Sequence, residues 1–420
     1  MALNIEEKPI EDNSIFSKED FPFNPITGTD YNGAGIIQIN IENQSDYFLP
    51  SESWIQIDGE FKKSDGNRYN VNEMASLTNN GILHCFSNIK YQLSGNEIES
   101  VNNPGQATTM MGLLNYDKNY PGLGQCWAQD TTTTAAVENT GFIKRKNFLL
   151  TSNPIGTFSF NIDLKHIFGF AVDYEKVVYG LRHSLQFNRK ASDNDAIFRG
   201  AAQALNGKVE IKKITWWMPK VIPSQVESFR LGKLIDKDTT IEAGFRVRQC
   251  STVQLPPTTT NTWNLGVKTE KPRFVIVSFQ TAKDDNQTEN VSIFDHCQVT
   301  GMKIILNSTE YPAIDINSDF NKHEFAGWYK RMAEFKQSFH GIDQIVSSSG
   351  IDVDKFKTLF PLYVFDVSKQ VEKLQTSVVD ISVKMTFNAN VNANTHAFAL
   401  VISDRKLRFK AEGKRMSVLF

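Results

Sequence analysis

"LHCFSNIKYQLSGNEI" at Leu83–Ile98 and "FDHCQVTGMKIILNSTEY" at Phe294–Tyr311 are two stretches of one chain that align with each other. When Ile89 is placed on Met302, a lysine, a leucine and a glutamate coincide over the next positions. About half of the 420 residues separates the two stretches. A period this long indicates a duplicated domain and not a solenoid repeat.

Most periodic segments of the chain alternate hydrophobic and polar residues, with the period of two that is typical of β-strands. They are short, they are rich in β-branched and aromatic residues, and Gly, Pro, Asn, Asp or Ser bound them. Many short strands with long polar loops predict an all-β sandwich or barrel. The segments are Ile37–Ile41, Trp54–Asp58, Phe158–Leu164, Val209–Ile211, Phe245–Arg248, Phe274–Val277, Ile381–Met385 and Phe398–Val401.

The alignment between the two halves extends along the chain and predicts two tandem copies of one β domain. Each copy has about eight strands, with a helix inserted midway. Two prolines in Pro219–Ser224 place the boundary there, which gives a first domain of residues 1–222 and a second of residues 223–420. The strands predicted to be equivalent are Gly35–Asn43 and Gly244–Val253, Trp54–Phe61 and Phe274–Gln280, Phe160–Asp163 and Val364–Val367, Ser184–Asn188 and Lys384–Asn388, and Lys208–Trp217 and His396–Arg405.

One segment, Asp319–His340, has the helical period and carries an aromatic stripe along one face. Ser318 is predicted to cap its start, and Gly341 is predicted to end it. Ala107–Leu114 is predicted to be the shorter helix at the corresponding place of the first half. We expect the long helix to pack on a sheet; the alternative is a helix that binds a partner. The stripe consists of Phe325, Trp328, Tyr329, Met332, Phe335 and Phe339.

The composition is that of a folded soluble protein, with 40% hydrophobic and 22% charged residues. The net charge of −2 gives the chain no overall attraction to nucleic acid or to anionic lipid. No secretory signal and no membrane-spanning stretch is recognisable. Four scattered cysteines predict reduced, buried thiols in an intracellular fold.

No motif in the sequence predicts catalysis. The seven histidines contain no HxH pair, and the cysteines contain no CxxC pair, so neither a cupin-type nor a zinc site is expected. The duplicated His84-Cys85 and His296-Cys297 dipeptides suggest a structural role at a strand entrance. A glycosidase-type pair of carboxylates stays open, since its geometry is visible only in three dimensions. We therefore predict no enzyme, no cofactor, no metal and no small-molecule substrate.

Two features are candidates for contacts with other molecules. Large aromatic residues are candidate interface residues between subunits, and the other reading for Trp216 and Trp217 is packing between the two domains of one chain; the candidates are Trp216, Trp217 and Trp328. A basic stretch near the C-terminus is a candidate for local contact with a polyanion, the alternative being a solvated strand edge or a subunit contact. It consists of Arg405, Lys406, Arg408, Lys410, Lys414 and Arg415, and is expected to be a strand continued by a tail.

A duplicated β-sandwich without a catalytic motif resembles the double jelly-roll major capsid proteins of double-stranded DNA viruses. Within that group, the chain is most similar to the proteins of Polinton-type elements, adintoviruses and their insect-genome relatives. Lys271–Thr281 resembles the "PR-aromatic-aliphatic-FQT" strand of their second jelly roll. The strand end at Asn307–Tyr311 and the helix within Phe320–Phe339 also resemble theirs, so the motif-level likeness covers mainly residues 271–340.

The resemblance implies two tandem eight-stranded jelly rolls and a structural subunit of an icosahedral virion shell. It further implies a homotrimer with six jelly rolls in a pseudo-hexagonal ring, which would contact other capsomers, penton proteins and minor capsid proteins. Such a shell would assemble inside the host cell, with contact to packaged DNA confined to local basic patches.

Two other functions remain open from the sequence. A carbohydrate-binding or carbohydrate-cleaving β-sandwich would need an exposed aromatic platform or a carboxylate pair in a groove. A capsid gene domesticated by a host would have the same fold, and the sequence does not separate it from that of an active virus.

Overall fold

The computed structural model describes residues 13–26, 28, 30–203, 205–237, 239–267, 269–342, 350–371, 378–412 and 415–420. Within these ranges the chain forms two β-sandwiches, and each sheet contains strands from only one side of Pro223. The division at residue 222 that the sequence analysis gives stays a prediction. In the described part, no helix is long and apolar enough to cross a membrane.

The strands of the first sandwich alternate between two main sheets. Their bounds are β1 (Ile15–Phe23), β2 (Gly35–Ile41), β3 (Tyr47–Phe48), β4 (Trp54–Lys63), β5 (Ala75–Leu77), β6 (Phe86–Leu93), β7 (Asn96–Asn102), β8 (Thr157–Asp163), β9 (Val178–Tyr179), β10 (His183–Arg189), β11 (Ile197–Arg199) and β12 (Gly207–Pro223).

The second sandwich follows the same plan. Its strands are β13 (Thr240–Gln254), β14 (Thr260–Asn264), β15 (Pro272–Thr281), β16 (Val299–Leu306), β17 (Thr309–Tyr311), β18 (Tyr363–Asp366), β19 (Ile381–Phe387), β20 (Thr395–Glu412) and β21 (Arg415–Leu419). The predicted basic tail is wrong, because β20 continues through the basic stretch and β21 folds back onto it.

Helices fill the connections between strands. They are α1 (Gly81–His84), α2 (Pro104–Asn115), α3 (Thr140–Leu150), α4 (Leu164–Ile167), α5 (Gly169–Asp173), α6 (Gln225–Asp236), α7 (Ala326–His340) and α8 (Val353–Thr358), with single 3-10 turns at Pro50–Glu52, Gly122–Gln125 and Asn194–Ala196. The predicted helix at Ala107–Leu114 is confirmed as part of α2. Helix α6 links the two sandwiches.

The order of strands is that of a jelly roll in both halves. In the first, β8-β4-β12-β1 faces β2-β10-β6-β7; in the second, β18-β15-β20-β13 faces β14-β19-β16-β17. The eight strands of each half follow one another in the same order along the chain. The predicted all-β fold with two tandem jelly rolls is therefore confirmed.

The two stretches that open the sequence analysis occupy equivalent places. The first forms the β6–β7 hairpin, and the second forms the β16–β17 hairpin. Both turns contain a residue in the left-handed region, Ser94 with φ 49° and Asn307 with φ 55°. The sequence alignment thus reflects one hairpin present twice.

One predicted strand equivalence is wrong. Gly35–Ile41 is the first strand of the smaller sheet and corresponds to Thr260–Asn264, whereas Thr240–Gln254 corresponds to Ile15–Phe23. The alignment missed this because β1 and β14 lack a buried hydrophobic face: no residue of β1 is buried, and β14 is short and polar. Strand periodicity reports burial of one face, and β1 has none.

Helix α7 packs on the second sandwich, as predicted, but begins later than its aromatic stripe. Residues 319–324 form a loop in which Asp319 and Glu324 exchange backbone hydrogen bonds of 2.8 and 2.9 Å. The hydroxyl of Ser318 donates to the carbonyl of Val299 instead of capping the helix. The predicted end is confirmed, since Gly341 takes φ 64° and its N–H donates to the carbonyl of Gln337.

The core of the first sandwich contains three histidines that burial keeps neutral. Desolvation lowers the pKa of His84, His166 and His183 to about 3. An unfolded histidine has a pKa of about 6.5, so the unfolded chain binds more protons than the folded chain below that pH. The contribution of these histidines to the free energy of unfolding is therefore fully present above pH ~6.5 and is lost as the pH falls toward ~3.

We predict that the free energy of unfolding falls between pH 7 and pH 5 by about 2 kcal/mol for each of these histidines. Urea titrations at the two pH values measure the difference. In the His84→Leu variant the difference should be smaller by about 2 kcal/mol. Leucine removes no hydrogen bond there, because neither ring nitrogen of His84 has a hydrogen-bond partner in the described residues. His323→Gln, at an exposed position, is the control. Equal stability of the wild-type chain at both pH values would contradict the prediction.

Candidate functional site at the junction of the two sandwiches

The free edge of β13 is the surface on which the first sandwich packs. Strand β13 pairs only with β20, so alternate N–H groups on its other side need acceptors from elsewhere. The N–H of Arg246 donates to Asp173 Oδ2 at 2.8 Å, and the N–H of Arg248 donates to Glu99 Oε1 at 2.8 Å. Two carboxylates of the first sandwich therefore satisfy the open edge of the second.

Glu99 is the most buried member of this junction, with 1% of its surface exposed. Its carboxylate also accepts the N–H groups of Gly169 and Phe170 at 3.1 and 3.0 Å. Burial raises the pKa of Glu99, while the nearby Arg248 and the three N–H groups act in the opposite direction. A buried carboxylate with this many donors fixes β7, α5 and β13 relative to one another.

The two arginine side chains extend the contact. Arg248 is buried and donates to the carbonyl groups of His166 and Ile167 at 2.7 and 3.3 Å. Arg246 forms a salt bridge to Asp173 Oδ1 at 2.5 Å and lies over the ring of Phe339 at 3.9 Å. Arg246 also donates to the carbonyl of Phe339, at the end of α7, which joins that helix to the junction.

Further contacts between the halves lie on either side of these carboxylates. Helix α2 is enclosed between the sandwiches, with every residue from Pro104 to Leu114 buried. The side chain of Gln287 exchanges hydrogen bonds of 2.7 and 2.8 Å with the backbone of Gly207. Ser292 donates to Asp130, which also accepts from Arg145 in a fully buried salt bridge. The halves thus meet in an extensive, largely buried interface.

The three tryptophans predicted as interface residues lie in different environments. Trp216 is fully buried between the two sheets of the first sandwich, 6.2 Å from Tyr91, and Trp328 is fully buried against β18. These two pack inside the chain and cannot contact another subunit. Trp217 is half-buried, stacks on Trp54 and donates to Gln56. Its role at an interface stays a prediction.

The predicted polyanion contact is only partly available. Lys406 and Arg408 are exposed on β20, and Glu242 of β13 lies opposite Arg408. Arg405 instead belongs to the junction, because it donates to the carbonyl of Ile98 and lies over the ring of Phe420. Lys410 is half-buried on the same strand. Lys414 lies outside the described residues, as does the side chain of Arg415.

Two of the concave sites on the structure lie near the junction and near α6. A groove of about 1100 Å³ lies over the junction, where Arg246 and Arg273 engage the carboxylates of Asp173 and Asp404. An apolar cavity of about 80 Å³ lies beneath α6. Among the described residues, no group of three or more His, Cys, Asp or Glu side chains is placed to hold a metal ion. All Trp and Tyr side chains are buried or half-buried.

The sequence analysis missed the junction residues. Glu99, Arg246 and Arg248 stand in strands, where a charged residue is normally on the solvated face, and Asp173 ends the short helix α5. Gly169 is one residue whose type is explained by the junction, because a Cβ at this position would lie 1.6 Å from the carbonyl oxygen of Arg246. Only glycine lets the backbone of α5 approach β13 this closely.

We predict that Gly169→Ala forces the sandwiches apart and lowers the free energy of unfolding by about 1–3 kcal/mol or more. Gly244→Ala on β13 is the matched control, because nothing lies within 4 Å of its added Cβ. Denaturant titration measures both variants, and limited proteolysis of α6 reports whether the halves separate. Equal stability of the two variants would show that the close approach at Gly169 is dispensable.

Comparison with solved structures shows similarity over the whole chain. The Sputnik virophage structure, solved by cryo-EM, has a TM-score of 0.59 at 10% identity, with 100% of this chain and 91% of that chain covered. The mavirus major capsid protein has a TM-score of 0.57 at 13% identity, with 100% and 93% covered. The Faustovirus major capsid protein has a TM-score of 0.58 at 8% identity, with 97% and 92% covered. At these identities the likeness is one of fold.

A comparison with curated protein sequences gives no match. The family model described as "Double jelly roll-like domain" matches residues 75–407, which is most of the chain. The matched region contains the carboxylates and arginines of the junction, the first sandwich from β5 onward and the second sandwich as far as Leu407 in β20. The chain therefore belongs to the double jelly roll-like domain family.

Proposed function

We propose that this protein is a major capsid protein whose trimers form pseudo-hexagonal capsomers of an icosahedral virion shell. The observation that carries the proposal is the buried junction, which holds two copies of one jelly roll side by side. Three such chains supply six similar units to a ring. The overall likeness to viral capsid proteins supports this reading, as does the lack of a metal-binding cluster in the described residues.

The proposal also includes the group of viruses to which the protein belongs. The resemblance of residues 271–340 supports a place among the capsid proteins of Polinton-type elements, adintoviruses or their insect-genome relatives. In that setting the partners are further copies of this chain, penton proteins and minor capsid proteins. The protein would be made and assembled inside the host cell and would reside in the virion shell.

We predict that the purified chain is a trimer, with three times the 47.5 kDa mass of one chain in light scattering. An obligate interface of this kind commonly buries more than ~2,000 Å², so the trimer should persist on dilution. Negative-stain images should show particles with a pseudo-hexagonal outline. A stable monomer that binds glycans on an array would overturn the proposal in favour of a carbohydrate-binding sandwich.

A local contact with packaged DNA is proposed for the exposed basic residues of β20. Each phosphate contact that is lost makes the dependence of log K on log salt shallower by ~0.9. We predict that the Lys406→Gln/Arg408→Gln double variant binds duplex DNA more weakly, with a slope shallower by about 2. Lys322→Gln/Lys369→Gln removes two exposed lysines of the second sandwich and is the charge-matched control. Equal slopes for the two double variants would argue against the contact.

A further inference from the structure

Strand β1 is the counterpart of β13, but its surroundings differ. Five residues of β13 are buried, mainly where the first sandwich packs against it, whereas no residue of β1 is buried. Ile15, Phe16 and Phe21 of β1 expose 46%, 79% and 39% of their surface. An open edge strand with exposed aromatic residues is an interaction surface unless something covers it.

The elements that cover β13 also have counterparts, and among the described strands none pairs with the outer edge of the counterpart sheet. Strand β7 corresponds to β17, and helix α2 corresponds to α7. Helix α2 is buried on all sides, but α7 buries only the face that carries Trp328, Met332, Phe335 and Phe339. Residues Lys330 and Glu334 on its other face expose 74% and 53% of their side chains.

We propose that β1 of one chain docks against β17 and α7 of a second copy of this chain. The contact would repeat, between chains, the relation that β13 has to β7 and α2 within the chain. This inference rests on the proposed function and names the interface through which the trimer closes. Because the two surfaces differ, the contact is head-to-tail, and such contacts close into a ring when the rotation permits.

The ladders define which positions of the two contacts correspond. Trp54 in β4 and Phe274 in β15 are equivalent, since each lies opposite the aspartate that ends the neighbouring strand. Trp54 pairs with Trp217, which pairs with Pro22 in β1. Phe274 pairs with Ile402, which pairs with Arg248 in β13. Pro22 therefore occupies the position of Arg248.

The opposing hairpins give the second half of the correspondence. Tyr91 in β6 and Ile304 in β16 are equivalent in the alignment and lie opposite Glu99 and Tyr311. Because the β6–β7 ladder has a bulge between Tyr91 and Gln92, Tyr311 occupies the position of Glu99 in the ladder, one residue beyond Ile98, which it matches in the sequence alignment.

Both members of the central hydrogen bond thus change together between the two contacts. Within the chain, the carboxylate of Glu99 accepts the N–H of Arg248. At the proposed interface, proline supplies no N–H and tyrosine supplies no carboxylate. A tyrosine ring against an exposed proline buries apolar surface and leaves no charge unpaired. If only one of the two residues were changed, a buried polar group would be left without a hydrogen-bond partner.

The charges on the two edge strands differ in the same sense. Asp20 of β1 occupies the position of Arg246 of β13, one residue after Glu19. The acidic face formed by Glu99 and Asp173 fits the arginines of β13, and it would meet repulsion on β1. The edge strands therefore discriminate between the two faces, and β1 is left to the face of a second sandwich.

Thiol cross-linking of the full-length chain tests the inference. Chains carrying Pro22→Cys are mixed with chains carrying Tyr311→Cys, dissociated and reassembled, then treated with a short bismaleimide. We expect covalent dimers in several-fold excess over the control mixture of Pro22→Cys and Val137→Cys, since Val137 is 73% exposed on a distant loop. The doubly substituted chain should give covalent trimers. The wild-type chain gives the background from Cys297, the half-buried native thiol.

The outcomes separate the inference from the function on which it rests. Trimers in light scattering without excess cross-linking would overturn this interface and leave the capsid proposal standing. Monomers throughout would overturn both. If Tyr311→Cys does not fold, the exposed pair Asp20→Cys and Thr309→Cys, on the same two strands, replaces it with the same expectations.

Discussion

The open edge of β13 is the constraint on which the arrangement of the two sandwiches depends. Its unpaired N–H groups would otherwise face water or attract a strand from another chain. Glu99 and Asp173 of the first sandwich accept two of them, and Glu99 does so while almost fully buried. Removing a carboxylate from water is costly, and the cost is offset here by three N–H donors and the nearby Arg248. Such a contact tolerates little change in distance, so it fixes how the halves lie.

The sequence predicted the strands whose surroundings lie within their own sandwich. Strands β4, β8, β15 and β19 each bury a regular set of side chains, and the hydrophobic period reports that directly. The predicted start of α7 is too early because Ser318 and Asp319 resemble a helix N-terminus in the sequence, whereas the backbone groups of Asp319 and Glu324 pair across a turn. A hydrophobic pattern records which side chains are buried and not which backbone conformation brings them there.

The junction could not be predicted, for a related reason. A charged residue in a strand normally marks the solvated face, so Glu99 and Arg248 look like surface residues in the sequence. Conversely, Trp216 and Trp328 are predicted from the sequence as interface residues but are buried inside their own sandwiches. The first error arises because a partner contributed by the other half allows a charged residue to be buried, and the second because a large aromatic residue type does not by itself distinguish an interior position from a surface position. The strand ladders place Arg248 on the open edge strand β13, and only this placement reveals that the first sandwich supplies the partner of Arg248.

The same reasoning explains why β1 escaped the sequence alignment. A duplicated strand that keeps its place in the sheet but loses its buried face no longer gains stability from its own sandwich. Its sequence is then free to follow whatever covers it, and β1 carries Pro22 and Asp20 where β13 carries Arg248 and Arg246. Proline on an open edge prevents uncontrolled strand addition, and the exposed aromatics beside it still favour burial. An edge strand that excludes strand pairing but keeps apolar side chains is suited to contact one defined surface through its side chains. Strand β13 likewise contacts one defined surface within the chain, that of the first sandwich.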